Sequence, residues 1–572
     1  MRQKLAIVIV FLISFYSCEQ TEDPITNIPK DEDSTEDINE EPVEVDETAP
    51  ILTIAGFTDV IETISDVSII VEDDSAVETK VFYEGEEIAA SLDKQLNFKV
   101  NPYTIPVGEI DFEVISIDDL GNETSEILTT EIKHLLMIYN QSAINNANNF
   151  PNWLFFNSLG GVELAVVEPI IGDLKIYTDK IILEDKVLYS YARLEEFTYG
   201  SGSDRQLHIS TYAINLGGTK VSPDLSTVYE DPESILEVTI NNVPFQNYSP
   251  DYTSSGSGYY TSEFEGDETH TILTIKHVAD NNPIYLVPNY YGSTYFDGKK
   301  ENYKYAKLLP ESGNSSMEVD INEFLQAEDN FKIDIPEHDA GTLFFYRKGI
   351  ENYEEFNERL FNIYWMDEDE EQELVTYLDL PKFSTMNEYK NEIGYSKDGV
   401  YYNSIGNDSN VEVDFPNWNS EIEVTETEIK LIENNPDVDY YAISLDKRQF
   451  ENGQGRVLNW KYSVFGKDNG IRNVKRLALP NLISEELNEA FFETGDDLEL
   501  YREVRYDYKN IETYDEILDI DVFQQYVPNQ PLLIRSTNEM FPTSFSNKST
   551  QLNNKAFIQN KKQQRFGIYS DF

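Results

Sequence analysis

The chain has 572 residues, 40% of them hydrophobic, a length that divides into three or four domains rather than one core. Asp and Glu number 106 against 43 Lys and Arg, and the formal charge of −63 repels phosphate backbones and anionic lipid surfaces, which excludes nucleic acid as a partner. The 37 Tyr and 31 Phe suit strands, where aromatic and β-branched residues pack across a sheet, and a single Cys excludes an intramolecular disulfide.

The first twenty residues, MRQKLAIVIVFLISFYSCEQ, place Arg2 and Lys4 before a short apolar run, Leu5 to Ile13, and the lone cysteine, Cys18, at its exit. The run is too short for a membrane span, which needs about 20 apolar residues. This arrangement resembles the signal peptide of a Bacteroidota-type bacterial lipoprotein. The resemblance implies cleavage after residue 17, a lipid on Cys18 and anchorage to the outer membrane, although Phe15 and Tyr16 depart from the usual leucine and small residue. The alternative is an ordinary secretory signal cleaved after a small residue, with Cys18 incidental. From Glu19 to Thr48, thirteen acidic residues face one basic residue, Lys30, so the segment cannot form a core and reads as an extended tether over 18–48. Glu19, Glu22 and Asp23 resemble the export signal of surface-exposed lipoproteins, which implies display at the cell surface; the periplasmic face is the alternative.

Residues 49–134 alternate short apolar runs with turns. The runs are Ile51–Ile54, Val67–Val71, Thr79–Tyr83, Leu96–Val100, Ile110–Ile117 and Ile127–Ile132, broken at Asp73-Asp74, Glu84-Gly85, Asn101-Pro102, Val107-Gly108 and Leu120-Gly121-Asn122. The segments DETAPIL, VEDDSAVETKVFYEGEEI and GEIDFEVISIDDLGNETS resemble a bacterial Ig-like domain, which implies a β-sandwich spacer or adhesive module without catalytic residues. Asp118, Asp119 and Asn122 have calcium-ligand chemistry, but a hairpin turn uses the same residue types.

The polar run NQSAINNANN, 140–149, marks the start of a body that resembles no family. Period-two alternation dominates it, as in Leu207, Ile209, Thr211 and Ala213, or Trp460, Tyr462 and Val464, so the fold class is mainly β: the Ig-like sandwich followed by two or three further sandwich-like units. The expected units are 150–323, 324–420 and 421–572. Helical spacing is confined to short pieces at Tyr353–Phe361 and Ile483–Phe491, and Asp320 with Glu323 predicts a capped turn before Phe324. The tetrapeptide Phe150-Pro-Asn-Trp153 recurs at Phe415–Trp418, a faint sign of two related units. The acidic run Asp367–Glu371 between apolar stretches predicts a hairpin tip. The last stretch, 548–572, carries five basic residues against Asp571 and either folds back on the acidic body or frays.

No motif names a chemistry, so no catalytic residue is assigned. Gly292–Lys300 has five residues between its glycines and Lys300 where Ser or Thr belongs, which fails the phosphate-loop pattern. His270 and His277 stand an odd number of residues apart on an expected strand, hence on opposite faces, so they share no metal. No cofactor is expected, and structural calcium stays an unsupported option. The remaining site candidate is aromatic: Tyr259 and Tyr260 after a Gly/Ser loop, with Tyr290, Tyr291, Tyr295 and Phe296 in the turn-rich stretch Pro288–Gly298. Flat rings beside Asn289 and Asp297 suit sugar faces, yet the same cluster arises from ordinary sheet packing. The expected function is a lipid-anchored envelope protein that displays a β-rich body to a glycan or protein ligand. The alternatives are a surface hydrolase acting on glycans and a structural subunit of an outer-membrane assembly.

Overall fold

Alternating apolar positions bury one side of a strand against a second layer, and layered sheets are what this chain forms. The computed structural model describes residues 48–141, 151–199, 202–221, 234–242, 251–256, 258–266, 270–277, 284–289, 304–309, 315–350, 361–367, 374–398, 400–408, 411, 413–414, 418, 421–433, 436–451, 454–465, 472–488, 490–493, 498–508, 516, 518 and 533–539.

The N-terminal unit is a β-sandwich of two sheets. One sheet holds Ile51–Ala55, Ser65–Glu72 and Gln95–Val100; the other holds Val60–Ile61, Glu123–Ile132, Gly108–Asp118, Val77–Tyr83 and Glu86–Ser91, in that order. Val67, Ile69 and Val71 of the first sheet pack on Val81, Phe112 and Val114 of the second. Glu84 and Gly85 both take positive φ, 50° and 80°, which closes the tight hairpin into Glu86–Ser91. That edge strand, EEIAAS, has no clean alternation and was not expected from the sequence. Asp118 caps its own turn: its carboxylate accepts from the Leu120 and Asn122 backbone and the Asn122 amide.

The sandwich is fixed to the body. His134–Gln141 pairs with Gly172–Thr178 and Gly218–Val221 in a three-stranded sheet, so the body begins before the polar run at 140–149. The Tyr103 hydroxyl donates to the Leu135 carbonyl at 2.7 Å, and the His134 ring sits between the carbonyls of Ile105 and Lys180 at 2.8 and 2.7 Å. Glu62 accepts from Lys175 and Tyr177, each at 2.6 Å.

Beyond the junction one sheet of twelve strands organises the chain. Its order is Glu163–Val167, Trp153–Asn157, Lys186–Tyr199, Gly202–Asn215, Gln454–Phe465, Tyr440–Glu451, Glu499–Tyr508, Leu533–Glu539, Val400–Asn407, Glu388–Lys397, Phe344–Ile350 and Phe361–Asp367. The sheet draws strands from all three expected stretches, so its hydrogen bonds run across the boundaries placed near Glu323 and Ser420. The reason is the parallel ladder that sets Ser203–Thr211 beside Gln454–Tyr462, a pairing about 250 residues apart that no local pattern encodes. Trp460 anchors the same join: its ring is fully buried, packs edge-on to Phe155 and stacked on Tyr462, and its indole N–H donates to the Thr211 hydroxyl at 2.9 Å.

A separate sandwich is inserted before this sheet is resumed. Gly258–Gly266, His270–His277, Ser234–Asn241 and Ser316–Asp320 form one layer, and Asp251–Gly256, Ile284–Asn289, Lys304–Leu308 and Leu325–Gln326 the other, around Leu236, Val238, Leu273 and Leu286. The expected capped turn is present as a 3-10 helix, Ile321–Glu323, with Asp320 accepting from the Asn322 N–H at 2.8 Å. Asn481–Leu487 and Ala490–Glu493 are the expected short helices.

Three local expectations are corrected. Phe361 opens a strand rather than closing a helical piece; residues 351–360 lie outside the described residues. The strands flanking the acidic run Asp367–Glu371 are not partners of each other: Phe361–Asp367 pairs with Phe344–Ile350, whereas Tyr377–Lys382 pairs with Asp329–Asp334 in another layer, and residues 368–373 lie outside the described residues. The repeated tetrapeptide marks no equivalent elements. Trp153 opens a strand of the twelve-stranded sheet, while Trp418 precedes Glu421–Val424 of a three-stranded sheet. A sheet shared by all three stretches predicts that Trp460→Ala costs about 3–5 kcal/mol and lowers the melting temperature of the whole body in one calorimetric transition. Independent melting of 150–323 would contradict it.

Candidate functional site

At one end of the twelve-stranded sheet, where it is covered by Asp329–Asp334 and Tyr377–Lys382, the surface dips into a groove of about 530 Å³. Its lining includes Glu328, Lys382, Phe383, Asn387, Glu388, Tyr389, Asn407 and Asp408. Below it lies Arg347, the one arginine among the largest fully buried side chains of the described residues.

Arg347 is held on every side. Its Nε donates to the Pro381 carbonyl at 3.0 Å, Nη1 donates to Asn391 Oδ1 and Asp408 Oδ1 at 2.5 Å each, and Nη2 donates to Asp408 Oδ2 at 3.0 Å. The guanidinium lies 3.8 Å from the centroid of the Tyr389 ring. A planar fork matches a carboxylate in two bonds and stacks on an aromatic face, which a lysine could not do in this position. Asn391 Nδ2 also donates to Asp408 Oδ1 at 2.9 Å, and Lys382 Nζ stands 3.6 Å from Oδ2. Burial alone would raise the Asp408 carboxyl, but the hydrogen bonds and charge of Arg347, with Asn391 and Lys382, outweigh it and hold the group below its ordinary value. Asp408 is therefore an ionised acceptor, the opposite of the raised carboxyl that a glycosidase acid requires.

The groove wall is aromatic. The Tyr389 hydroxyl accepts from the Phe383 N–H at 2.5 Å and donates to its carbonyl at 3.1 Å, which closes the turn Phe383–Met386 onto the strand Glu388–Lys397. Phe383 packs edge-on to Tyr305, ring centroids 4.9 Å apart, and Tyr285 and Met386 complete the cluster. Polar groups on the rim are pre-oriented: the Ser384 hydroxyl donates to Glu328 at 2.5 Å, and Asn407 Nδ2 donates to Glu388 at 2.9 Å. The site thus combines buried rings with carboxylates and amides whose directions are set before any ligand arrives.

The sequence placed its candidates elsewhere. Tyr259 and Tyr260 stand on Gly258–Gly266, in register with Lys276 and Ile275, so as neighbouring strand positions they belong to opposite faces of that sheet. Tyr290, Tyr291, Tyr295 and Phe296 lie outside the described residues, as does Cys18. His270 and His277 are the two ends of one strand. Among the described residues no group of three His, Cys, Asp or Glu could hold a metal ion, and no helix is long and apolar enough to cross a membrane. The groove residues were missed because Arg347, Lys382, Tyr389 and Asp408 come from separate strands and turns; the one local signal was the alternation Tyr389, Asn391, Ile393, Tyr395, which puts a polar residue on a buried face.

The chain matches no family model and no curated protein. Among solved structures, it is similar to part of a 1.5-MDa bacterial ice-binding adhesin, at 10% identity over 42% of this chain and 91% of that one. It is also similar to the Bacteroides ovatus mixed-linkage glucan utilization locus protein SGBP-B, at 12% identity over 59% and 93%. Both alignments have a TM-score of 0.14, so neither bears on the function of this chain.

Breaking the buried pair tests the site's foundation. Arg347→Met removes the guanidinium bonds to Asn391 Oδ1 and to both Asp408 oxygens, leaves the carboxylate only Asn391 Nδ2 and Lys382, and is expected to cost about 3–5 kcal/mol, whereas adding Asp408→Leu restores part of the loss in urea melts. Because the folded carboxyl is depressed, the pair contributes its stability above the unfolded aspartate value of about 3.9 and loses it as pH falls through the folded value. The double variant is expected to show a flatter stability profile on the acid side.

Proposed function

We propose that the protein is a lipid-anchored, non-catalytic receptor at the cell surface that holds a saccharide in the groove between Glu328 and Asp408. The observation that carries this reading is one concave site that joins an aromatic wall to a rim of fixed hydrogen-bonding groups. Sugars present C–H patches on their faces and hydroxyls around their edges, and they bind where both find partners. The Asp408 carboxylate, kept ionised by Arg347, accepts from hydroxyls; Asn387 and Asn407 offer amides; Phe383 and Tyr389 supply the wall. The anchor at Cys18 and the tether 18–48 put the body beyond the lipid, and the Ig-like unit of 49–134 serves as its spacer.

Isothermal titration of the soluble chain from residue 49 against a panel of neutral oligosaccharides tests the site. A ligand is expected whose affinity falls about five- to tenfold in Asn387→Ala with Asn407→Ala, the loss of one or two neutral hydrogen bonds. Failure of every saccharide to bind, with a protein ligand recovered instead, would replace the reading. For the anchor, Cys18→Ala is expected to move the protein from the membrane fraction to the soluble fraction and to abolish labelling by a palmitate analogue; unchanged labelling would place the lipid elsewhere.

A further inference from the structure

Next to the groove, alternate residues of three adjacent strands share one face of the twelve-stranded sheet. Phe344, Gly394 and Asn403 stand in one row across Phe344–Ile350, Glu388–Lys397 and Val400–Asn407, and Tyr346, Glu392 and Ile405 form the next. Lys390 and Asn407 follow, and Glu388 closes the series at the groove rim. Two positions beyond Asn403 in the other direction is Tyr401, so this face runs from Tyr401 to Asn407, about 20 Å of strand.

The face is flat where the rings lie. Gly394 has no side chain, and a Cβ there would come within 2.1 Å of Phe344 and 2.7 Å of the Tyr401 hydroxyl. The Phe344 and Tyr401 rings instead lie nearly parallel over it, 12° apart with centroids at 6.1 Å, and Tyr346 packs on Phe344 at 5.5 Å. Phe344 is buried, while Tyr346 and Tyr401 are half-exposed.

Polar pairs repeat along the same face. Asn403 Nδ2 donates to Glu392 at 2.9 Å, and four residues on, Asn407 Nδ2 donates to Glu388 at 2.9 Å. Each pair turns a carboxylate into a fixed acceptor, and the two pairs are about 13 Å apart along the strand. Asn403 Oδ1, in a residue only 2% exposed, accepts no hydrogen bond, and a buried acceptor left without a donor is costly. Aromatic surface alternating with repeated acceptors fits a polymer of repeating hydroxylated rings.

We propose that this face, which meets the groove at Glu388 and Asn407, is a platform for a linear, uncharged oligosaccharide lying along Glu388–Lys397, with Tyr346 and Tyr401 as the distal stacking subsite. Glu388 and Glu392 disfavour uronic acids by charge. The proposal rests on the saccharide reading of the groove and adds to it the length and charge of the ligand.

Titration of cello-, xylo-, manno- and malto-oligosaccharides of two and six units into the chain from residue 49 tests it. The hexamer of the preferred series is expected to bind at least tenfold more tightly than the dimer. Tyr346→Ala with Tyr401→Ala is expected to erase that advantage and leave dimer affinity unchanged; Glu392→Gln, which keeps the side chain's shape, is expected to weaken the hexamer about fivefold. Melting curves establish that the variants fold, and Glu392→Gln decides the matter if the double variant does not. Equal affinity for dimer and hexamer, or a hexamer advantage that survives these substitutions, overturns the platform while leaving the groove reading intact. Failure of all the saccharides to bind overturns both.

Discussion

The body depends on one parallel ladder. Ser203–Thr211 and Gln454–Tyr462 run side by side, and through them two long antiparallel hairpins, Lys186–Asn215 and Tyr440–Phe465, become the centre of a single sheet. A parallel pair cannot close through a tight turn and needs a long crossover. Here the crossover is most of the chain between residues 215 and 454: the inserted sandwich, the covering strands and the four strands that finish the sheet on the groove side. Trp460 sits on the ladder with Phe155, Thr211 and Tyr462 as its neighbours, so the hydrophobic anchor and the hydrogen-bonded join coincide.

The groove inherits its geometry from the far end of this sheet. A fully buried guanidinium is costly unless all its directions are met, and the meeting of Phe344–Ile350, Glu388–Lys397 and the turn at Asp408 meets them with a carboxylate, an amide, a carbonyl and a ring. In a chain of net charge −63, Arg347 draws one of many carboxylates into a fixed, ionised position at the groove floor. The charge that keeps the protein dispersed is thereby converted, at one place, into directed hydrogen-bond acceptors.

The N-terminal sandwich also acquires a different mechanical meaning. A spacer on a flexible connection would leave the body free to reorient. Instead Tyr103, His134 and Glu62 tie the sandwich to the sheet His134–Gln141 and Gly172–Thr178 by side-chain bonds from both partners. The unit and the start of the body share buried contacts, Tyr103 among them.

What the amino-acid sequence determined by itself was local. Period-two alternation identified the strands, Glu84-Gly85 and the Asp118 loop their turns, and Asp320 the capped 3-10 turn before Phe324, because each depends on neighbours within a few residues. Tertiary structure alone decided which strands meet. Phe361 reads as the end of a helical piece because three- and four-residue spacing of apolar residues also occurs by chance in a strand, and the acidic run at Asp367 reads as a hairpin tip because a short apolar run does not say whether its partner precedes or follows it. Arg347, Tyr389 and Asp408 became a site only when ladders between distant strands brought them together, since hydrogen-bond pairing across a sheet is indifferent to separation along the chain.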